Sequence, residues 1–216
     1  MSPRLPRWSP DGMALLFVDF TAQGNAAIYT IPSQGGRAPT RLMPDDPEPE
    51  TDPSWSPDGR RLVFSNSPEG GQHPQSVLRI LDMTSGNVTP IPASKGLFAP
   101  RWSPDGRSIV AETLDGMSLK MLNVATGRWS LLHTGPVGYA SWSRDSRYVY
   151  SIRWQGDRRV VRIRAAEGKA EGVIDLSDQK DTGFDQSWMG LDSTDAPLMM
   201  REIGTFDIYA LTLDKK

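Results

Sequence analysis

Pro6-Arg7-Trp8-Ser9-Pro10-Asp11-Gly12 is written again, letter for letter, at Pro100-Arg101-Trp102-Ser103-Pro104-Asp105-Gly106, and with one change at Pro53-Ser54-Trp55-Ser56-Pro57-Asp58-Gly59. A turn repeated together with its tryptophan means either one chemistry used several times or one structural unit stacked several times. The turn chemistry favours stacking. Proline at the second turn position supplies the φ of about −65° wanted there, aspartate bonds its own backbone, and glycine takes the positive φ that often closes the turn. The tryptophan ends a short strand, and its bulk suits the space between two neighbouring sheets that neither could cover alone. Asp11, Asp58 and Asp105 are therefore read as turn formers rather than catalytic groups, as is Asp145 in the looser copy Trp142-Ser143-Arg144-Asp145.

Trp8, Trp55, Trp102, Trp142 and the degenerate Trp188 are separated by 47, 47, 40 and 46 residues. A period of about 40–50 residues is the signature of propellers and solenoids. Each of the first four intervals carries three further short β-branched or aromatic runs between turn residues, for example Leu62-Val63-Phe64, Val77-Leu78-Arg79-Ile80-Leu81 and Val88-Thr89-Pro90-Ile91. Four such antiparallel strands make a propeller blade. The expected fold is all-β: one propeller domain over 1–216 with five four-stranded antiparallel blades, in units of about 6–44, 53–95, 100–134, 139–178 and 185–214. The last blade is expected to be incomplete, because no outer strand follows Ile208-Tyr209-Ala210-Leu211. That shortfall makes the chain read as a C-terminal fragment of a six- to eight-bladed propeller, with a five-bladed ring as the competing layout. Either the end blades show unpaired edges or Met1–Pro6 lies beside Ile208–Leu211, and open edges invite self-association.

Composition narrows the function classes. The 24 basic and 26 acidic residues give a net charge of −2, which argues against nucleic acid as an obligate partner. The absence of cysteine removes disulfides, thiolate metal sites and a cysteine nucleophile. No stretch approaches 18 uninterrupted apolar residues and the N-terminal segment lacks an apolar core, so neither a signal peptide nor a membrane span, and no membrane contact by this chain, is expected.

The recurring Pro-x-Trp-Ser-Pro-Asp-Gly units, with their following Leu/Ile/Val-x-Phe and Ile/Leu-Tyr runs, resemble the PD40 (WD40-like) repeats of TolB-type β-propellers over nearly the whole chain. The stretches Gly96–Gly106 and Trp188–Leu211 further resemble the C-terminal propeller region of bacterial proteins in which PD40 repeats follow a winged-helix regulator or a serine/threonine kinase domain. The resemblance implies a non-enzymatic module that binds a protein or peptide, as the sensory or scaffold part of a larger bacterial regulator. It leaves the compartment open, with TolB itself periplasmic.

The residues bear on the alternatives. A propeller hydrolase lacks its Gly-x-Ser-x-Gly nucleophile motif here, and a polysaccharide lyase with a histidine-based metal site has only His73 and His133 to draw on. No catalytic, metal or cofactor site is expected. The acidic run Asp45, Asp46, Glu48, Glu50, Asp52 is broken by prolines and lacks calcium-loop spacing, so it reads as a solvated loop. Arg158, Arg162 and Arg164 share a strand face that could meet phosphates in a nucleic-acid-associated regulator, but a charged outer face that discourages edge pairing is the favoured reading. The loops entering the inner strands ring one mouth of a propeller channel, which makes Phe98, Tyr139 and Phe184 the candidate contact aromatics.

Overall fold

The computed structural model describes residues 4–66, 75–178 and 189–199. The first blade runs β1 (Arg4–Trp8), β2 (Ala14–Phe20), β3 (Ala26–Pro32) and β4 (Thr40–Arg41); the second runs β5 (Thr51–Trp55), β6 (Arg61–Ser65), β7 (Leu78–Asp82) and β8 (Val88–Pro90). The third is β9 (Leu97–Trp102), β10 (Ser108–Thr113), β11 (Ser118–Asn123) and β12 (Arg128–Thr134); the fourth is β13 (Val137–Trp142), β14 (Tyr148–Arg153), β15 (Arg159–Arg164) and β16 (Ala170–Asp175). A strand pair follows, β17 (Met189–Leu191) with β18 (Pro197–Met199). Within each blade the strands pair antiparallel in chain order, so the described residues form four complete blades and the start of a fifth. The expected pairing of Met1–Pro6 with Ile208–Leu211 lies outside the described residues.

The repeated turn is built the same way in every complete blade. Ser9 Oγ donates to Asp11 Oδ1 at 2.6 Å while accepting the Ala14 N–H at 2.9 Å, and Asp11 Oδ1 also accepts the Met13 N–H. The identical triangle joins Ser56 to Asp58, Ser103 to Asp105 and Ser143 to Asp145. These bonds favour the ionised carboxylate, and they hold Asp11, Asp58 and Asp145 below the usual range; at Asp105 burial opposes the shift but the same bonds prevail. The aspartates spend their oxygens on the turn, which is the structural role the sequence predicts. Ser103→Ala removes the buried hydroxyl that accepts the half-buried Ser108 N–H and is expected to cost about 1 kcal/mol in urea unfolding. In the fourth copy Ser146 replaces glycine and takes the same left-handed φ of 60°.

The core lies between blades. Leu16, Val18 and Ile28 of the first blade pack with Leu62, Phe64 and Leu81 of the second, and Trp55 lies against them. Val63, Leu78 and Ile91 meet Trp102, Ile109 and Leu122 of the third. Val110, Leu119 and Leu132 meet Val149, Val161 and Ile163 of the fourth, with Trp142 alongside. Each of these three tryptophans thus packs on the blade before its own. Trp102 lies under the Arg61 guanidinium of the second blade at 4.7 Å, and the Trp142 indole N–H donates to the Arg101 carbonyl of the third at 2.9 Å. Trp8 has no described blade before it and is 62% exposed. The tryptophans are wedges wherever a preceding blade is present.

Two features depart from the expected layout. In the fifth unit Leu191 occupies the position that tryptophan holds elsewhere: Asp192 opens the turn, Asp195 takes the closing left-handed φ of 65°, and Leu191 packs toward the fourth blade. The expected repeat residue Trp188 lies outside the described residues. The inner strand of each complete blade also carries a bulge three residues before its wedge position, where Leu5, Asp52, Ala99 and Tyr139 all have φ between 47° and 59°. None is glycine, so each is a strained conformation that the surrounding packing sustains.

Candidate functional site

Antiparallel order places the connections alternately at two ends of the blades. The Ser-Pro-Asp-Gly turns lie at one end, and the loops between second and third strands share the other with the segments entering the inner strands. This second end is the mouth. Among the described residues, Phe20, Met117 and Trp154, each from a different blade, are large apolar side chains exposed there. Trp154, 42% exposed, lies across the third blade, where an added Cβ at Gly116 (φ 66°) would sit 3.0 Å from its Cζ2. A glycine there lets the indole approach the neighbouring turn closely.

Below the mouth the inner strands follow one another around the axis, β1 touching β5, β5 touching β9, β9 touching β13 and β13 touching β17. Charged groups of three blades sense one another here. Arg101 Nη2 is 3.3 Å from Asp52 Oδ1. Arg7 is pushed down to about 9, first by burial and then by the Arg101 charge, with Asp52 acting in the opposite direction. Glu112 on β10 is 4% exposed and its carboxyl is pushed up to about 7, chiefly by burial. Its Oε1 accepts the Ala140 N–H at 3.1 Å, just past the Tyr139 bulge, so this carboxylate ties the third blade to the fourth inner strand.

The remaining polar clusters are ion-paired, although Arg41 Nε and Arg79 Nε are buried without a hydrogen-bond partner among the described residues. Arg79 Nη1 lies 2.6 Å from Asp46 Oδ2, and Arg41 Nη2 lies 2.9 Å from Glu50 Oε1. Glu50 is fully buried and also accepts the Ile28 N–H at 2.8 Å; burial raises its carboxyl against those two bonds. The acidic run is thus in good part an ion-paired seam between the first two blades, more ordered than a solvated loop. Arg162 pairs with Glu171 at 2.6 Å, Arg164 lies 3.6 Å from Glu167, and both guanidinium groups stack on Tyr148. A cleft at the turn end, bordered by Met121, Trp142, Arg147 and Arg164, adjoins these paired charges. His133 is half-buried on β12, burial depressing its pKa, and among the described residues no group of three metal-ligating side chains forms. His73 lies outside them.

Residues 3–188 match the PD40 family, described as the TolB beta propeller domain. The chain belongs to that family. Among solved structures this PD40 propeller is similar to TolB from Acinetobacter baumannii, at 18% identity and a TM-score of 0.70, covering 90% of this chain and 47% of that one. It is also similar to a putative TolB from Agrobacterium tumefaciens, at 23% identity and a TM-score of 0.66, over 78% of this chain and 64% of that one. A chain of a nidogen/laminin complex aligns at 9% identity and a TM-score of 0.66, over 88% of this chain and 69% of the other. These likenesses establish the fold. The PD40 propeller spans about half the length of the Acinetobacter protein and under two thirds of the Agrobacterium one. No curated protein sequence matches it significantly.

Of the candidate aromatics, Phe98 is half-buried near the start of β9, in register with Glu112. Tyr139 occupies the fourth bulge and packs toward Tyr150, Ile152 and Met189. Phe184 lies outside the described residues. Sequence reasoning missed Trp154, Glu112 and the pair Arg7 and Arg101. The arginines were in plain view, since each directly precedes a repeat tryptophan.

Proposed function

We propose that this chain is a non-enzymatic propeller module that binds a protein or peptide across the mouth formed by Phe20, Met117 and Trp154. The observation that carries the reading is Trp154, an exposed indole seated against Gly116 of the preceding blade at the end of the propeller where loops converge. Large, rigid aromatics beside Met are the residue types enriched at protein interfaces, and presenting them on a rigid scaffold limits the entropy lost on binding. The engagement of the four repeat aspartates within their own turns also supports binding over catalysis. Within a longer protein the module is assigned the sensory or scaffold part of a bacterial regulator. Selection from a phage-displayed peptide library tests this directly. Peptides enriched on the wild-type chain are expected to bind Trp154→Ala at least tenfold more weakly and Met13→Ser, a change at the opposite end, with unchanged affinity. Binders indifferent to Trp154→Ala would overturn the reading.

A further inference from the structure

The junctions between the four complete blades share one register. At the turn end of a blade, the wedge tryptophan, its partner on the second strand and that residue's partner on the third form a leading face. In the second, third and fourth blades those partners are Leu62 and Leu81, Ile109 and Leu122, and Val149 and Ile163, all buried in clusters shared with the blade before. The trailing face presents the second-strand partner of the residue before the wedge position. These are Leu16, Val63, Val110 and Tyr150, each buried toward the unit that follows. The turns meet as well. An added Cβ at Gly106 would sit 3.2 Å from Pro57 Cγ of the turn before, and the Arg144 N–H donates to Asp195 Oδ1 of the turn after at 3.0 Å.

Two faces of this kind are uncovered. On the first blade Trp8 is 62% exposed, its register partners Leu15 and Ile31 are only half-buried, and Gly12 has open space where Gly106 receives Pro57. On the fifth unit Leu198 pairs with Gly190, the residue before the wedge position, so it holds the trailing place. Its neighbour Met199 packs toward the fourth blade, strand alternation turns Leu198 the other way, and it is 47% exposed. Groups that bury one another at every internal junction are thus displayed separately at the first and fifth units.

We propose that these faces are the two halves of a self-association contact, in which the Leu198 face of one copy seats the Trp8, Leu15 and Ile31 face of a second copy as one more blade junction. The internal junctions identify the occupant. A leading face is covered by the trailing apolar side chain of another blade, and this chain displays such a side chain at its fifth unit. The contact joins unlike surfaces head to tail, so each partner of a pair keeps one free face. It involves neither the outer-strand edges nor the mouth, and it is independent of the binding reading. Tryptophan is among the residues that dominate interface energetics, and Trp8 is the anchor. By mass action a dilute chain stays monomeric.

Sedimentation velocity over a wide concentration range tests the contact. The wild-type chain is expected to gain mass reversibly as concentration rises. Trp8→Ala and Leu198→Asp, both at exposed positions, should each stay monomeric where the wild type associates, with unchanged circular dichroism. Trp154→Ala, at the mouth, should associate as the wild type does. An equimolar mixture of the two monomeric variants is decisive. Trp8→Ala keeps an intact trailing face and Leu198→Asp an intact leading face, so the mixture is expected to form a heterodimer and nothing larger. A wild type monomeric throughout would overturn the proposal and leave these faces to another occupant. Association surviving both variants would overturn it in favour of strand edges, and loss with Trp8→Ala alone in favour of two first blades meeting. A mixture that stays monomeric would contradict the head-to-tail register.

Discussion

Trp102→Ala is expected to lower the free energy of unfolding by about 3–5 kcal/mol, while Trp8→Ala changes it by no more than about 0.5 kcal/mol. The two residues sit in identical heptapeptides, so a sequence argument would give them one value. Their surroundings differ. Trp102 is 5% exposed, packed among Val63, Leu78 and Ile109, capped by Arg61, and bonded through its indole N–H to the Gly106 carbonyl at 3.2 Å. Truncating it opens a cavity between two blades that neither can close, and it frees a guanidinium from its stacking surface. Trp8 is 62% exposed and truncation leaves no cavity. Urea unfolding followed by far-ultraviolet circular dichroism separates the two without depending on the fluorophores removed. Equal effects would mean that the repeat tryptophans act within their own blades.

The second large effect is a pH dependence centred on Glu112. Its carboxyl is raised from 4.5 to about 7 in the folded chain, so between those values the unfolded chain loses the proton first and the folded chain becomes the relatively poorer state. Stability is fullest below about 4.5, falls as pH rises through the window, and levels off above about 7. At about 1.4 kcal/mol per pH unit the loss amounts to about 3 kcal/mol. Glu112→Gln keeps an oxygen for the Ala140 N–H and cannot ionise. It is therefore expected to exceed the wild type by about 2–3 kcal/mol at pH 8 and to approach it at pH 5. His133, whose pKa is lowered by burial, acts in the opposite sense below its usual value of 6.5, and the difference between wild type and Glu112→Gln cancels it. The turn aspartates, held below 3.8, lose their contribution only as pH falls below that range. A wild type and variant that run parallel from pH 5 to 8 would contradict the buried-acid assignment.

How far the sequence carries depends on whether a feature is written locally. The Ser-Pro-Asp-Gly turns are local, and their hydrogen-bond triangles follow from residue type at fixed spacing. The strands follow because apolar runs alternate with turn residues, as at Leu62-Val63-Phe64, where β6 forms. The inner-strand bulges are not written this way. Leu5, Asp52, Ala99 and Tyr139 share no side-chain chemistry, and their left-handed backbone is imposed by pairing and packing. The position of Tyr139 at the start of an inner strand is legible in the sequence, but the bulge that sets it toward Met189 is not. Glu112 sits in Ile109-Val110-Ala111-Glu112-Thr113, where a polar residue ending an apolar run reads as the strand leaving the core; only the fourth blade, packed alongside, buries it. Arg7 and Arg101 required knowing that the position before each tryptophan addresses the axis, which spacing along the chain does not reveal.

The stacking of successive repeats, turn beside turn, underlies each of these expectations. In the structure the Asp105 N–H donates to Ser146 Oγ at 3.0 Å, joining the turns of the third and fourth blades. Because the chain has no cysteine, Asp105→Cys/Ser146→Cys introduces the only two thiols. Treatment of the dilute monomer with a short thiol-to-thiol cross-linker, read by peptide mass spectrometry, is predicted to give one intramolecular link between residues 105 and 146. Unlinked thiols, or links formed only between molecules, would contradict the blade stacking.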